Sequence, residues 1–234
     1  MLFLSILPQT ILMARYIVSI LFLLSIQVVN AQKLLSEGSI QYSISLKDDV
    51  KDTTLASYFR GAVSIVYVKG SQSRIDTKTN LGITTSIFNN KTHEGVLLRE
   101  FQSQKLLIRM NAENWAEKNK KFIGITYQPT GETKVIGGYK CEKANALLTD
   151  GTSFSLFYTK ELDTENKSYD PQFSGLIGFP VAFESVMGDL TIQFTLVQIS
   201  FDPVPVQKFL IPTKGYREIS FEESLETSRG KQKN

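Results

Sequence analysis

The side chains able to do chemistry in this sequence are few and widely spaced. There is one cysteine, Cys141, and one histidine, His93. A thiol nucleophile with an imidazole base would have to join these two, and nothing around either resembles an activated pair. His93 lies in the turn-like run Asn89-Asn90-Lys91-Thr92-His93-Glu94-Gly95. Cys141 sits between Tyr139 and Ala144 in a strand-like run, which predicts a buried, reduced, slow-reacting thiol. One Cys and one His also leave no Cys₄ or Cys₂His₂ metal set. The acidic pairs Asp48-Asp49 and Glu222-Glu223 fall in polar runs, whereas paired acid/base carboxylates need burial or mutual proximity. Asp48, Asp49 and Asp52 lack the spacing of a calcium loop. No G-x-S-x-G, Walker A or G-x-G-x-x-G run occurs. Asn90-Lys91-Thr92 and Asn166-Lys167-Ser168 fit the glycosylation sequon, a short pattern that arises often by chance. The expectation is therefore no catalytic residue, no metal and no cofactor. A hydrolase with an unfamiliar site is the remaining enzymatic alternative.

Composition narrows the setting. The 234 residues carry 26 Lys+Arg against 23 Asp+Glu, a net of +3 that is too small and too scattered for nucleic-acid binding. With 42% hydrophobic and 21% charged residues, the chain is that of an ordinary globular protein. Its first part differs. Ile17–Ile26 is uncharged and almost wholly apolar, Arg15 precedes it, and Val29-Asn30-Ala31 supplies small or branched residues at a cleavage position. That is the layout of a secretory signal peptide, with cleavage expected after Ala31. Met1 and Met13 are both open as starts, and the second puts Arg15 directly ahead of the apolar run. An uncleaved anchor is the alternative, although Ile17–Val29 falls short of the roughly 20 residues that span a bilayer. No cysteine stands at the cleavage position for lipid attachment. The chain thus divides into a signal peptide at 1–31, a β domain at 32–220 and a polar tail at 221–234. The expected location is periplasmic or secreted.

Elements that could position a site come next. Ile40, Tyr42, Ile44 and Leu46 alternate at period two, and Val63–Val68 is apolar at nearly every position. Leu81–Phe88, Val96–Phe101 and Leu106–Met110 continue the series, separated by turn residues. Pro129-Thr130-Gly131 reads as a turn. Lys134–Ala146 reads as one strand with a bulge, or a close-passing backbone, at Gly137-Gly138. Asp163–Ser174 reads as a polar loop. Between Gly188 and Phe201 the apolar phase slips from Leu190, Ile192, Phe194 and Leu196 to Val197, Ile199 and Phe201, which demands a bulge. Two stretches read as helices, Thr53–Arg60 and Asn111–Lys121, the second capped by Asn111. The fold class expected is mainly β: one strongly curved antiparallel sheet of about ten strands, half-barrel in form, with one or two short helices. Closed barrel, half-barrel and two-sheet sandwich stay open on periodicity alone.

Two features stand out as ligand-lining candidates. Phe173-Ser174-Gly175-Leu176-Ile177-Gly178-Phe179-Pro180 is an apolar run between glycines, so Phe173, Leu176, Ile177 and Phe179 either plug a core or form the lip of a pocket. Trp115 is the only tryptophan, in an otherwise polar helix, and is expected to insert toward the sheet and hold the helix there.

Some runs are more specific than composition. Tyr67-Val68-Lys69-Gly70, Ser73-Arg74-Ile75-Asp76 and Gly82-Ile83-Thr84-Thr85 come first. Gly137-Gly138-Tyr139-Lys140-Cys141-Glu142-Lys143-Ala144, Leu156-Phe157-Tyr158-Thr159-Lys160-Glu161-Leu162 and Gly175-Leu176-Ile177-Gly178-Phe179-Pro180 follow. Together they resemble uncharacterised exported bacterial proteins grouped near the GLPGLI type and the outer-membrane lipoprotein carrier-like superfamily. Ile177 stands where those proteins usually have proline. The resemblance implies a half-barrel with helices against its concave side, and it carries over no functional residue. The function expected is an exported, non-enzymatic protein that binds or carries an amphiphile (an acyl chain, a lipid or a lipoprotein) in the concavity. The alternative is an envelope assembly or interaction module with a filled interior. A lipid, a lipoprotein or an envelope protein is the expected partner. Nucleic acid is not, and neither is a membrane span after signal cleavage.

Overall fold

The computed structural model describes residues 32–47, 53–187 and 190–230. The signal-peptide reading and Asp48, Asp49 and Asp52 lie outside those residues. Fourteen strands are described: β1 (Lys33–Leu35), β2 (Glu37–Leu46), β3 (Val63–Lys69), β4 (Gln72–Thr79), β5 (Gly82–Asn89), β6 (Glu94–Phe101), β7 (Gln104–Met110), β8 (Thr126–Ile136), β9 (Tyr139–Leu147), β10 (Ser153–Thr159), β11 (Leu162–Thr164), β12 (Phe179–Met187), β13 (Leu190–Ser200) and β14 (Arg217–Ile219). Among the described residues three short helices accompany them: α1 (Thr53–Phe59), α2 (Ala112–Asn119) and α3 (Phe221–Gly230). The protein is mainly β, as the alternation predicts.

Twelve strands form one sheet in the order β14-β7-β6-β5-β4-β3-β2-β13-β12-β10-β9-β8. It does not close into a barrel, because β14 and β8 are both edges. The meander β3 to β7 follows from tight turns between alternating runs, and β2 joins it through residues 47–62, which carry α1. Its middle is different: β2 pairs with β13, Ser43 opposite Thr195, across most of the chain. The expectation of a purely antiparallel sheet is corrected at two places. β14 runs parallel to β7, and β1 runs parallel to β11 in a separate two-stranded sheet. Parallel pairing needs a long return connection, and each of these strands is joined to its neighbour by one.

Directly opposed residues share a face of a sheet. On the front, Tyr42 faces Ser64 and Ser64 faces Thr77, while Ile40, Val66 and Ile75 form the next row. Phe183, Phe194 and Ile44 continue this face across the sheet centre. On the back, Tyr67, Arg74, Ile87, Val96 and Arg109 form a row. Both faces are covered. The segment after β13 crosses the back. The Lys69 Nζ and Arg74 Nη1 groups donate to the Val204 and Lys208 carbonyls, at 3.1 and 2.9 Å, and Tyr216 packs on Ile87, Val96, Leu98 and Leu107. The front is covered by α2, α3 and residues 163–178.

The bulge required by the phase slip lies between Leu196 and Gln198, where the register against β2 shifts. Two other local readings change places. Gly137 and Gly138, at φ of 58° and 85°, form the turn joining β8 to β9, and Pro129–Thr133 is a bulge inside β8. A two-residue hairpin turn needs positive φ at consecutive positions, which the glycine pair supplies and Pro129-Thr130-Gly131 does not. The polar tail is also more ordered than its composition predicts. Ser220 Oγ accepts from Glu223 N at 3.0 Å, and α3 then buries Phe221 against Ile108 and Ile219.

Candidate functional site

The apolar run ahead of β12 acts mainly as a plug. Phe173, Leu176 and Phe179 are 3%, 4% and 0% exposed and belong to the main core with Tyr42, Leu156 and Phe183. Ile177 points away, 81% exposed. The four therefore do not line one pocket. Gly178 explains the divergence: at φ +123° it brings the Thr159 carbonyl within 2.4 Å of where a Cβ would stand. The backbone reverses there and seats Phe179 inward.

Trp115 behaves as its helix requires. Asn111 caps α2 by accepting from Asn114 N at 2.8 Å, and its own N–H is answered by the Asn114 side chain. With that end fixed, the half-buried indole stacks on Phe88, ring centroids 4.2 Å apart and planes 5° from parallel. It also packs with the cluster of Leu97, Ile108 and Met110. A surface groove of about 480 Å³ runs beside it, floored by Phe122, Ile123 and Ile125, with His93 at its rim. Of the five lining candidates, only Trp115 faces this groove.

A second opening lies on the front face under the plug segment. It is a half-enclosed cavity of about 140 Å³. Tyr42, Phe173, Phe183 and Phe194 make its aromatic walls, in edge-on and stacked contacts at 4.7–5.3 Å. Ser64, Thr77 and Ser185 bring hydroxyls from the sheet, and Tyr169, Asp170 and Gln172 close it from above. These last three lie in the stretch that reads as a polar loop. In the structure it forms two single 3-10 turns, 167–169 and 171–173, that bury Tyr169 and Phe173. Asp170-Pro171 was the available signal, since an acidic residue before proline initiates such turns.

The polar groups here are unevenly satisfied. Tyr42 donates to the Pro180 carbonyl at 2.9 Å. Asp170 accepts from Gln172 N on one oxygen and from Gln172 Nε2 on the other, both at 3.1 Å. Asp170 keeps some exposed surface, yet the protein crowded about its carboxyl desolvates it and pushes its pKa up to about 6. The Gln172 hydrogen bonds and the fields of Lys118 and Lys121 pull the other way. Tyr169 is buried, and its hydroxyl lies beside that of Tyr42 without a hydrogen bond of acceptable geometry. Burial first, then the neighbouring Tyr42 and Asp170, hold its pKa well above the phenol range.

The residues marked out first by type lie elsewhere. Cys141 is 1% exposed and free, and burial raises its pKa, as expected of an inert thiol. His93 is exposed at φ 57°. Asn166 is 4% exposed and accepts from Asn90 Nδ2 at 2.8 Å, so the second sequon is not presented to solvent. Among the described residues no three His, Cys, Asp or Glu side chains converge as a metal would need, and no helix is long and apolar enough to cross a membrane.

No family model and no curated protein matches this chain. Its fold is similar to that of PNGF-II, at 14% identity and a TM-score of 0.47 over 82% of this chain and 33% of that one. It is also similar to an uncharacterized conserved protein from Thermus thermophilus, at 9% identity and a TM-score of 0.45 over 86% and 99%. The chain spans a third of the length of PNGF-II. Likeness of this degree carries nothing about activity.

Proposed function

We propose that this protein is an exported, non-enzymatic interaction module of the cell envelope, whose sheet interior is filled by its own side chains. The filling carries the reading. Phe173, Leu176 and Phe179 occupy the face that a carrier would keep open, and the space left there is about 140 Å³. Pockets for drug-sized apolar ligands run from roughly 300 Å³ upward, so an acyl chain does not fit without expelling the plug. The apolar stretch Ile17–Ile26 and its flanks support export to the periplasm or beyond.

An amphiphile is the second reading, and the groove beside Trp115 favours it. That groove has the volume and apolar floor for one chain, and Ile123 on that floor is 69% exposed. Native mass spectrometry of protein isolated from its own envelope separates the two. The module reading expects a clean apo mass, no uptake of a fluorescent fatty acid, and a stoichiometric protein partner after cross-linking. A retained acyl chain, displaced by the fluorescent probe and lost in Trp115→Ala, would replace it with the carrier.

A further inference from the structure

We propose that the front-face cavity is a binding site for a small primary ammonium group. This goes beyond the module reading and does not depend on it. The cavity combines three features that a packed core avoids. First, Asp170 is a largely desolvated carboxylate whose hydrogen bonds both come from Gln172, and Lys118 and Lys121 act on it through their fields. Buried charges are ordinarily paired. Second, Tyr169 is 5% exposed and its hydroxyl, beside that of Tyr42, makes no hydrogen bond of good geometry, whereas buried polar atoms are nearly always satisfied. Third, the remaining walls are aromatic, with Tyr42, Phe183 and Phe194 presenting rings to the same space.

An alkylammonium answers all three at once. Its N–H donors match the Asp170 carboxylate and a sheet hydroxyl from Ser64 or Thr77, and a small turn of the Tyr169 ring brings its buried oxygen to the third. Its carbon lies against ring faces, which attract cations electrostatically. A cavity of about 140 Å³ admits a head of a few heavy atoms and excludes a bulky one. A metal ion is the weaker fit, because only one carboxylate is offered and the aromatic walls supply no ligand. The amine could be free or the head of a phospholipid, and the chemistry at the cavity is the same.

Calorimetric titration of the chain from residue 32 with methylammonium and ethanolamine, against potassium at equal ionic strength, tests this. Saturable binding of both amines is expected, with none of potassium. Asp170→Asn should weaken it about tenfold or more, as loss of a charge-assisted hydrogen bond does. Tyr169→Phe removes only the unpartnered hydroxyl, so it should keep the melting temperature and weaken binding about threefold. This second variant decides the matter if Asp170→Asn fails to fold. Lowering the pH from 7.5 to 5 should also weaken binding about tenfold as Asp170 protonates. The other titratable groups facing it are Tyr42, Tyr169 and Tyr127, with Lys118 and Lys121 on α2 and the turn after it; burial pushes the three phenols further above this range, so they stay neutral across it. A vesicle arm locates the source: retention on phosphatidylethanolamine but not phosphatidylcholine assigns a lipid head, and retention on neither, with ethanolamine bound, assigns a free amine. No saturable heat from either amine, or unchanged affinity in Tyr169→Phe, overturns the site and leaves a cavity that holds water.

Discussion

Asp170 is a residue the fold holds at a cost, and the cost has a definite pH signature. Its pKa in the folded protein, about 6, lies above the model-compound value of 3.8. Between those values the folded state binds the proton and the unfolded state does not, so stability falls as pH rises through the window. The penalty is complete above pH 6 and absent below about 4. With partial exposure allowed for, it amounts to roughly 1–2 kcal/mol. Asp170→Asn keeps an acceptor for Gln172 N, so urea titrations at pH 7.5 should show it more stable than wild type, with the difference gone at pH 4. A less stable variant at pH 7.5 would mean that the capping carboxylate outweighs its desolvation. Cys141 gives a second residue-scale expectation. Its Sγ donates to the Tyr139 carbonyl at 3.4 Å within the core. A thiol reagent at neutral pH should therefore label it at least a hundredfold more slowly in native buffer than in denaturant, since labelling waits on opening.

At the scale of elements, the plug and α2 are the parts that can be broken one at a time. Gly178→Ala sets a methyl against the Thr159 carbonyl and forces a conformation that L residues rarely adopt. A loss of about 2–4 kcal/mol is expected, read as a lower denaturation midpoint with an unchanged slope. Trp115→Ala should cost less than a core truncation, about 2 kcal/mol, because the indole is half-buried and its main loss is the Phe88 stack. Its fluorescence should fall between buried and exposed, with partial quenching by acrylamide; full quenching would sink the anchor role. These elements also show where sequence reading works. The Leu196–Gln198 bulge was legible because a phase slip in an alternating strand has only one geometric remedy. The Asn111 cap was legible because capping is local. Tyr169 and Asp170 were not, since a polar run with proline looks the same whether it hangs in solvent or folds back over a sheet. Only long-range contact decides between the two.

The molecule as a whole is held together at its centre by the pairing of its two ends. Ser43 Oγ donates to the Thr195 carbonyl across a separation of 152 residues, at the seam between β2 and β13. A chain ending after Met187 would lose the strand that joins the two flanks, and with it β14, α3 and the segment that covers the back. Such a truncation should aggregate or bind a hydrophobic dye, where deletion of residues 231–234, beyond α3, leaves a folded protein. A monomeric, cooperatively unfolding truncation would show that the two flanks stand alone. The far edges are better protected than this seam. β8 carries Pro129 and a bulge, and β14 is three residues long; both devices discourage edge-to-edge pairing.

That seam also sets a timetable. During synthesis β2 emerges early and pairs at once with β3, but its other edge has no partner until β13 is made. At translation rates of roughly 5–20 residues per second, the separation of 152 residues imposes a wait on the order of 8–30 s. For that interval Ile40, Tyr42 and Ile44 form half of an unfinished surface. That exposed edge closes only once β13 has been made, so the completion of the sheet waits on the last long strand.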